Sequence, residues 1–374
     1  MSGLRTLPLQ PLHAQLDARM GPFAGWQVPI SYEGILKEWE HVRLASGLFD
    51  ISHMGRIFVS GEGALSFLNA MLTRNLYSLP KGKVAYALLL DEQGGILDDV
   101  TVYRIEGDLW FLCVNAAHEE VVFQHLRSFV PSGVRIERSE EYPIQLALQG
   151  PTAEEALLPF CNGHESTLRD LPYYGWTKLS LMGTTTLVSR TGYTGEDGFE
   201  LYLKGRTQAE GFIDGLLRAK GRAFGGLCGF GVRDVLRLEA AYPLAGTDFD
   251  RQTTPLEAGL EFAINLEKPY FIGKEALVVR KQEGLKERRT GFIAATSRVP
   301  RGGYRVHVEG SSVGRVTSGT YSPFRQCGIA MGYMPTHLSS PGLDVLLTDA
   351  VRSAIPAKTS NLPFYPPQTK RKKG

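Results

Sequence analysis

Cysteine is scarce in this chain of 374 residues, and its four cysteines are scattered without any close pair. That spacing argues against a zinc site and against a disulfide framework, and it predicts a reducing compartment. The eight histidines are equally dispersed, so the sequence gives no support for a metal mechanism. The cysteines are Cys113, Cys161, Cys228 and Cys327.

Long apolar runs and an excess of one charge are also missing. No segment approaches the roughly 20 apolar residues that a membrane helix needs, and the first residues show no signal-peptide core and no arginine-rich transit helix. We therefore predict a cytoplasmic protein, or one of the mitochondrial matrix if the source is eukaryotic. The net charge of +2 argues against nucleic acid or a membrane as a partner. The basic segment 370–373 is the local exception, which we interpret as a solvated end; contact with an acidic protein partner is the alternative.

Glycine is abundant, with 42 residues against a usual share of about 7%. This content favours many hairpins and tight turns, and the length predicts two or three domains. Helix-like and strand-like runs up to about residue 285 indicate an α+β architecture. Helices are predicted over 35–46, 117–129, 152–158 and 212–216. Strands are predicted over 84–90, 96–104, 109–114, 144–148, 179–190 and 199–203.

Helix patterns vanish beyond about residue 285. Short strand-like runs between glycine and proline turns take their place, and they predict a separate C-terminal β-barrel or jelly-roll domain. The predicted strands are 289–294, 304–308, 313–318, 329–333 and 345–347.

The most informative segment is 190–200, RTGYTGEDGFE, which we call the glycine-rich hairpin. Its glycines lie between two β-branched or alternating runs, as expected where the backbone needs a positive φ or a close approach. Glu200 then lies in a strand, on the face opposite Phe199 and Leu201. A carboxylate held there can accept a planar pair of donors such as an amino-pyrimidine edge. An acidic surface hairpin is the alternative interpretation.

Two carboxylates, Asp98 and Asp99, follow a Gly-Gly turn at the start of a predicted strand. Adjacent strand residues face opposite sides, so at most one of the two can enter a given pocket. For Asp98 the competing interpretation is that it caps the turn.

Seven further blocks accompany the glycine-rich hairpin in one order along nearly the whole chain. They are 23–26 (FAGW), 47–55 (GLFDISHMG), 94–99 (GGILDD), 148–151 (LQGP), 233–240 (RDVLRLEA), 254–260 (TPLEAGL) and 330–333 (AMGY). Together these blocks resemble the aminomethyltransferases, or T-proteins, of the glycine cleavage system.

This resemblance implies an activity and a domain plan. The expected enzyme is a one-carbon transferase that passes the methylene carbon of S-aminomethyl-dihydrolipoyl H-protein to tetrahydrofolate and releases ammonia. The expected fold is a ring-like arrangement of two α+β domains with antiparallel sheets and a C-terminal barrel. The expected boundaries are 1–52 with 145–250, 53–144 with 251–285, and 286–374.

The resemblance also implies the site residues. Asp99 is the expected catalytic acid, Glu200 the receptor of the pterin donors, and Arg233 the cation for the glutamate tail of the folate. Arg233 is expected at the start of a helix; its competing interpretation is a surface arginine paired with an acid. The remaining matches to a folate pocket are Met54, Tyr86, Asn115 and Tyr193.

Some positions depart from the family pattern. Ala245 and Thr247 stand where tyrosine and asparagine are common, and Phe262 replaces a frequent tryptophan, so we expect a reshaped rim near the lipoyl entrance. The C-terminal match is loose, and Tyr365 is the one candidate there. His53, beside Ser52 in a turn, is interpreted as a structural hydrogen-bonding group.

Two other functions compete with this one. The first is a folate-dependent demethylase of another small methylated compound, which would not need a lipoyl carrier. The second is a non-catalytic folate-binding assembly factor. The glycine-rich hairpin contains no cysteine, which argues against the second alternative.

Overall fold

The computed structural model describes residues 3–349 and 354–369, so the basic segment 370–373 lies outside the described residues. Short 3₁₀ turns occur at Leu158–Phe160, Glu261–Ala263 and Thr336–Leu338. The α-helices are α1 (Gln10–Gln15), α2 (Ile35–Leu44), α3 (Ala64–Met71), α4 (Glu119–Phe129), α5 (Ala153–Leu157), α6 (Glu165–Asp170), α7 (Arg206–Arg218), α8 (Phe230–Glu239) and α9 (Lys274–Glu283).

The strands are β1 (Arg5–Thr6), β2 (Arg19–Phe23), β3 (Trp26–Ser31), β4 (Gly47–Asp50), β5 (Gly55–Ser60), β6 (Val84–Leu90), β7 (Ile96–Glu106), β8 (Leu109–Val114), β9 (Arg135–Arg138), β10 (Ile144–Gln149), β11 (Trp176–Leu181), β12 (Thr184–Ser189), β13 (Gly198–Leu203), β14 (Gly226–Leu227), β15 (Glu287–Ala294), β16 (Arg305–Val308), β17 (Ser311–Ser322), β18 (Cys327–Pro335), β19 (Asp344–Thr348) and β20 (Ala354–Ser360).

The strands form two large open sheets, one small sheet and one barrel. A six-stranded sheet has the order β11-β12-β13-β10-β4-β14, and a five-stranded sheet has the order β6-β7-β8-β5-β9. Pairing within them is antiparallel except between β14 and β4. Strands β1, β3 and β2 form the small sheet, and β15-β18-β17-β16-β19-β20 close the barrel. The predicted α+β class with a C-terminal barrel is confirmed.

The chain leaves the six-stranded sheet after β4, builds the five-stranded sheet with β5–β9, and returns with β10. Later residues return to the five-stranded sheet, where Leu256, Leu260 and Phe271 pack with Leu88 and Leu90 of β6 in one buried cluster. We propose the domain boundaries predicted above on this basis, because each unit then has its own core.

The two open sheets pack on each other through aromatic side chains. Tyr103 and Phe111 of the five-stranded sheet meet Trp176 and Tyr202 of the six-stranded sheet in one buried cluster. The opposite face of the six-stranded sheet is covered by helices, with Phe212 of α7 in its core. The strands that carry the site are thus held on both faces.

Most of the predicted elements are confirmed with small shifts of their ends, and β6 and β8 have the predicted bounds. The single strand predicted over 179–190 is wrong. The chain reverses at Met182 and Gly183, which have φ values of 53° and 80° and separate β11 from β12. The runs before and after this turn both favour strands, and only one glycine marks the turn, so the sequence analysis did not detect it.

Strand β20 and helix α9 lie in regions where the sequence analysis predicted neither. Pro356 lies within β20, and proline in a strand-like run normally argues against a strand. The run is tolerated because Ile355, Ala357 and Thr359 alternate into the barrel. Among the described residues, no helix is both long and apolar enough to cross a membrane.

Candidate active site

A cleft of about 1280 Å³ lies where the two open sheets and the barrel meet. Its walls include Tyr86 from the five-stranded sheet, Glu200 from the six-stranded sheet, and Arg289 from the first barrel strand. All seven site residues predicted from the sequence line this one cleft, and they come from distant parts of the chain. They are Met54, Tyr86, Asp99, Asn115, Tyr193, Glu200 and Arg233.

Asp99 lies early in β7 with its carboxylate directed into the cleft. Tyr86, on the paired strand β6, donates its hydroxyl to Asp99 Oδ2 at 3.0 Å, and Asn115 Nδ2 donates to Oδ1 at 2.7 Å. Burial, and then the negative charge of Asp98, raise the pKa of Asp99 to about 7. Asp99 is therefore an acid that can change protonation state near neutral pH.

Asp98 does not cap the preceding turn, so that alternative is wrong. The turn is capped by Asp91, whose Oδ1 accepts the backbone N–H groups of Gln93 and Gly95 at 3.0 and 2.9 Å. Asp98 is fully buried and accepts the backbone N–H of Asn115 at 3.0 Å. Only one of the two adjacent carboxylates lines the cleft, as the two-residue period of a strand predicted, and it is Asp99, the one that the family resemblance indicated.

The three carboxylates of the glycine-rich hairpin have three different environments. Glu196 is buried and pairs with Arg43 at 2.8 Å. Asp197 pairs with Arg190 through both of its oxygens. Glu200 alone faces the cleft. The interpretation as an acidic surface hairpin is therefore excluded, because Glu196 and Asp197 form ion pairs with buried arginines.

Two glycines in this hairpin are required by close packing. A Cβ at Gly192 would lie 1.8 Å from Gln149 Oε1, well inside contact distance. Gly195 has a φ of 81°, which a residue with a Cβ adopts only with strain. These constraints place the hairpin against β10 and aim the following strand at the cleft.

Glu200 lies on β13 between Phe199 and Leu201, which point the other way into the helix-covered core. Thr191 Oγ1 donates to Glu200 Oε2 at 2.7 Å. Burial raises the pKa of Glu200, whereas the bond from Thr191 and the charge of Arg233 act in the opposite direction. The second carboxylate oxygen has no hydrogen bond within residues 3–349 and 354–369, so it is available to a ligand.

Arg233 is the fourth residue of α8, so it lies in the first turn rather than at the helix start as predicted. Its guanidinium lies over the ring of Tyr193, with 4.5 Å from Cζ to the ring centroid. Tyr193 is held in turn by donating its hydroxyl to Pro243 O at 2.7 Å. No carboxylate forms an ion pair with Arg233 in the part of the chain that the structure describes, so the paired surface arginine is excluded. Burial lowers its pKa.

Phe262 forms part of the rim. Its ring stacks on Tyr86 with 5.7 Å between centroids and 15° between planes, and it is 66% exposed. Phe262, which stands where a tryptophan is common in the family, is therefore an exposed residue at the edge of the cleft. Leu244 also lines the cleft, whereas Ala245 and Thr247 are not among its lining residues.

Two arginines at the start of the barrel were missed. Arg288 is exposed at the cleft, and Arg289 lies deeper and donates to Ala258 O at 2.7 Å and to Ala241 O at 2.8 Å. The only sequence signal was their position at the change of composition near residue 285. Thr191 was also missed, although it belongs to the glycine-rich hairpin.

Tyr365 lies outside the cleft. Its ring is covered by the guanidinium of Arg43 at 3.8 Å, and its backbone N–H donates to Glu239 O. Other residues of the C-terminal segment line the cleft, namely Ser360, Asn361, Leu362, Pro363 and Pro367. His53 is buried against Phe23 and is not among the lining residues. Its Nδ1 has no hydrogen-bond partner among the described residues, so the structure does not show the predicted hydrogen-bonding role at that atom.

Comparisons with known proteins agree with this architecture. The chain matches the family model of the GCVT N-terminal domain over residues 9–268 and that of the glycine cleavage T-protein C-terminal barrel domain over residues 288–366. The chain belongs to the glycine cleavage T-protein family.

Relatives in this family align along the full length. An aminomethyltransferase of Symbiobacterium thermophilum is 41% identical over 97% of both chains, and one of Halothermothrix orenii is 39% identical over 96% of this chain and 100% of its own. The crystal structure of glycine cleavage system aminomethyltransferase T from Bartonella henselae superposes with a TM-score of 0.89 at 34% identity, covering 98% of this chain and 99% of that one. The predicted class of enzyme, an aminomethyltransferase of the glycine cleavage system and hence a one-carbon transferase, is confirmed.

Proposed function

We propose that the cleft binds tetrahydrofolate and there receives the methylene carbon of S-aminomethyl-dihydrolipoyl H-protein. The bonds from the methylene carbon to the sulfur and the nitrogen of the aminomethyl-lipoyl arm break, and the carbon forms bonds to two nitrogens of tetrahydrofolate. The products are methylene-tetrahydrofolate, ammonia and the free thiol of the lipoyl arm. The observation that carries the proposal is the convergence of Asp99, Glu200 and Arg233 on one cleft from three separate elements.

The residues of the cleft fit a reduced folate. Glu200 has one carboxylate oxygen without a hydrogen bond among the described residues, and its carboxylate can accept a planar pair of pterin N–H donors. Arg233 is a half-buried cation without an acidic partner among the described residues, which suits a glutamate carboxylate. Apolar and aromatic side chains between these two ends suit the ring system. They include Met54, Tyr86, Tyr193, Leu260 and Phe262.

Asp99 is positioned to handle charge and protons at the reacting end. Tyr86 and Asn115 hold the carboxylate in one orientation, so it needs no reorganisation when a reactant arrives. Bound tetrahydrofolate supplies the nucleophilic amine that accepts the carbon. The Asp99 carboxylate can orient that amine, stabilise positive charge beside it and take up a proton. Alignment of two bound reactants can account for roughly 7–11 kcal/mol of the barrier.

The proposed partner is a lipoylated H-protein, and no metal is assigned to the mechanism. Exposed Arg74 and Arg288 lie at the rim of the cleft, where they can attract an acidic carrier. We propose a cytoplasmic location, which the four free cysteines of this chain support.

One assay tests the function. The purified protein is incubated with tetrahydrofolate and aminomethyl-loaded H-protein, and ammonia and methylene-tetrahydrofolate are measured together. Both products are expected in equal amounts, and only with the loaded carrier. Turnover of a free methylated compound without the carrier would instead identify a demethylase, and folate binding without either product would identify a non-catalytic protein.

A further inference from the structure

Behind the cleft, Asp98 and Asp99 share a single amide group. Asn115 Nδ2 lies 2.9 Å from Asp98 Oδ1 and 2.7 Å from Asp99 Oδ1, so its two N–H groups join the carboxylates. The backbone N–H of Asn115 also donates to Asp98 at 3.0 Å. Two carboxylates held this close interact electrostatically, and each disfavours the anionic form of the other.

His118 is the third group in contact with Asp98. It immediately precedes α4, and its Nδ1 lies 2.9 Å from Asp98 Oδ1. The imidazole is 21% exposed, whereas the carboxylate of Asp98 is fully buried. A buried carboxylate needs such a counter-charge, because burial alone would neutralise it. Hydrogen bonds through Asn115 and Asp98 thus connect the carboxylate of Asp99 in the cleft to the imidazole of His118 behind it.

We propose that Asp98, kept ionised by His118, is a positioning residue that acts through Asn115 on Asp99 and governs how readily Asp99 takes up a proton. The inference rests on the proposed role of Asp99 in the reaction. It gives Asp98 a task that the cleft-facing residues do not supply, because Asp98 itself does not line the cleft.

The charges around these groups support this direction of effect. Burial and then Asp98 raise the pKa of Asp99, while the bonds from Tyr86 and Asn115 oppose the rise. The hydrogen bond to Asp98 raises the pKa of His118, whereas burial and the charge of Arg251 lower it. Burial raises the pKa of Asp98, and the bonds from His118 and Asn115 oppose that rise. A general acid or base works best when its pKa lies near the working pH, which is what this arrangement achieves for Asp99.

The test is the pH dependence of kcat/KM with loaded H-protein and tetrahydrofolate. In the unchanged enzyme the acid limb is expected near pH 7, the pKa of Asp99. Asp98→Asn removes the neighbouring negative charge, so the acid limb is expected to move down by about one pH unit. His118→Gln removes the counter-charge while an amide can still donate to Asp98. Burial then neutralises Asp98, so Asp99 loses the neighbouring negative charge, and the limb is expected to move down as it does in Asp98→Asn.

A downward shift of the limb in both variants is not produced by simple damage to the fold, which lowers turnover without moving the pKa of Asp99. His125→Gln is the matched control, since His125 lies on α4 and has no hydrogen bond to either carboxylate among the described residues. Its limb should coincide with that of the unchanged enzyme. If Asp98→Asn does not fold, His118→Gln against His125→Gln decides the matter.

Two negative results are distinguishable. Limbs that stay in place in Asp98→Asn and His118→Gln, while Asp99→Asn abolishes turnover, would overturn this inference and leave the proposed function intact. Full turnover in Asp99→Asn with an unchanged pH profile would remove Asp99 from the mechanism, and the inference with it.

Discussion

Helix α8 carries two arginines one turn apart that meet opposite surroundings. Arg233 faces the cleft and stacks on Tyr193 without an acidic partner among the described residues. Arg237 is buried and pairs with Asp234 at 2.7 Å and with Asp248 at 2.5 Å. The same residue type on one helix therefore faces the cleft at one turn and stabilises the fold at the next, and the difference is whether the protein itself supplies an anion for the guanidinium.

The C-terminal half of α8 is tied to the barrel as well as to its own domain. Asp248 accepts a hydrogen bond from Arg237. It accepts another, at 2.7 Å, from the hydroxyl of the barrel residue Ser318. Glu239 accepts Arg43 Nη2 at 2.8 Å and the hydroxyl of the barrel residue Ser322 at 2.6 Å. These bonds fix the C-terminal half of α8. They also fix the position of Arg233 in the N-terminal half, although Arg233 itself takes part in none of them.

The largest expected effect comes from breaking the paired arginine. Arg237→Met should lower the free energy of unfolding by about 3–5 kcal/mol, because it leaves the buried carboxylate of Asp248 without its cation. Arg233→Met is the matched control on the same helix and should cost far less. Denaturant unfolding of both variants makes the comparison, and equal losses would show that the two arginines do not differ as described.

The next effect concerns the cleft carboxylate. Asp99→Asn should leave folate binding nearly unchanged while turnover falls by about 100-fold or more, since the amide cannot take up a proton or offset positive charge. Single-turnover rates and folate titrations of the same preparation separate the two quantities. Unchanged turnover would assign the chemistry to another group.

A smaller effect is expected at the unpaired arginine. Arg233→Ala should weaken binding of polyglutamylated tetrahydrofolate by about tenfold, the usual order for one charge-assisted hydrogen bond. Binding of a pterin without the glutamate tail should change little. Calorimetric titration of both ligands tests this, and equal losses for the two would place Arg233 at the pterin instead.

The smallest effect concerns the rim. Raising the salt concentration from about 0.01 M to 0.15 M shortens the Debye length from about 30 to 8 Å. The KM for loaded H-protein should rise severalfold as a result, and less so in the double variant Arg74→Ala, Arg288→Ala. A KM that does not depend on salt would argue against electrostatic capture of the carrier at this rim.

Much of the site could be predicted because its residues lie in locally patterned segments. Strand β7 alternates clearly enough to show that Asp98 and Asp99 face opposite ways, and the glycine-rich hairpin marks Glu200 by its spacing. Motif resemblance supplied the others. Arg289 and the link through Asn115 were beyond reach, because each depends on segments that meet only in the folded chain.

The sequence by itself determined the α+β class, the bounds of strands such as β6 and β8, and that at most one carboxylate of the pair could enter a cleft. Side-chain periodicity and turn chemistry are local properties, so they can be read from neighbouring residues. Only the tertiary structure decided that Arg237 is paired while Arg233 has no acidic partner among the described residues, and that Asp98 is bonded to Asn115 and His118 behind the cleft. Those outcomes depend on which charges are buried together, and burial is a property of surfaces that come from distant parts of the chain.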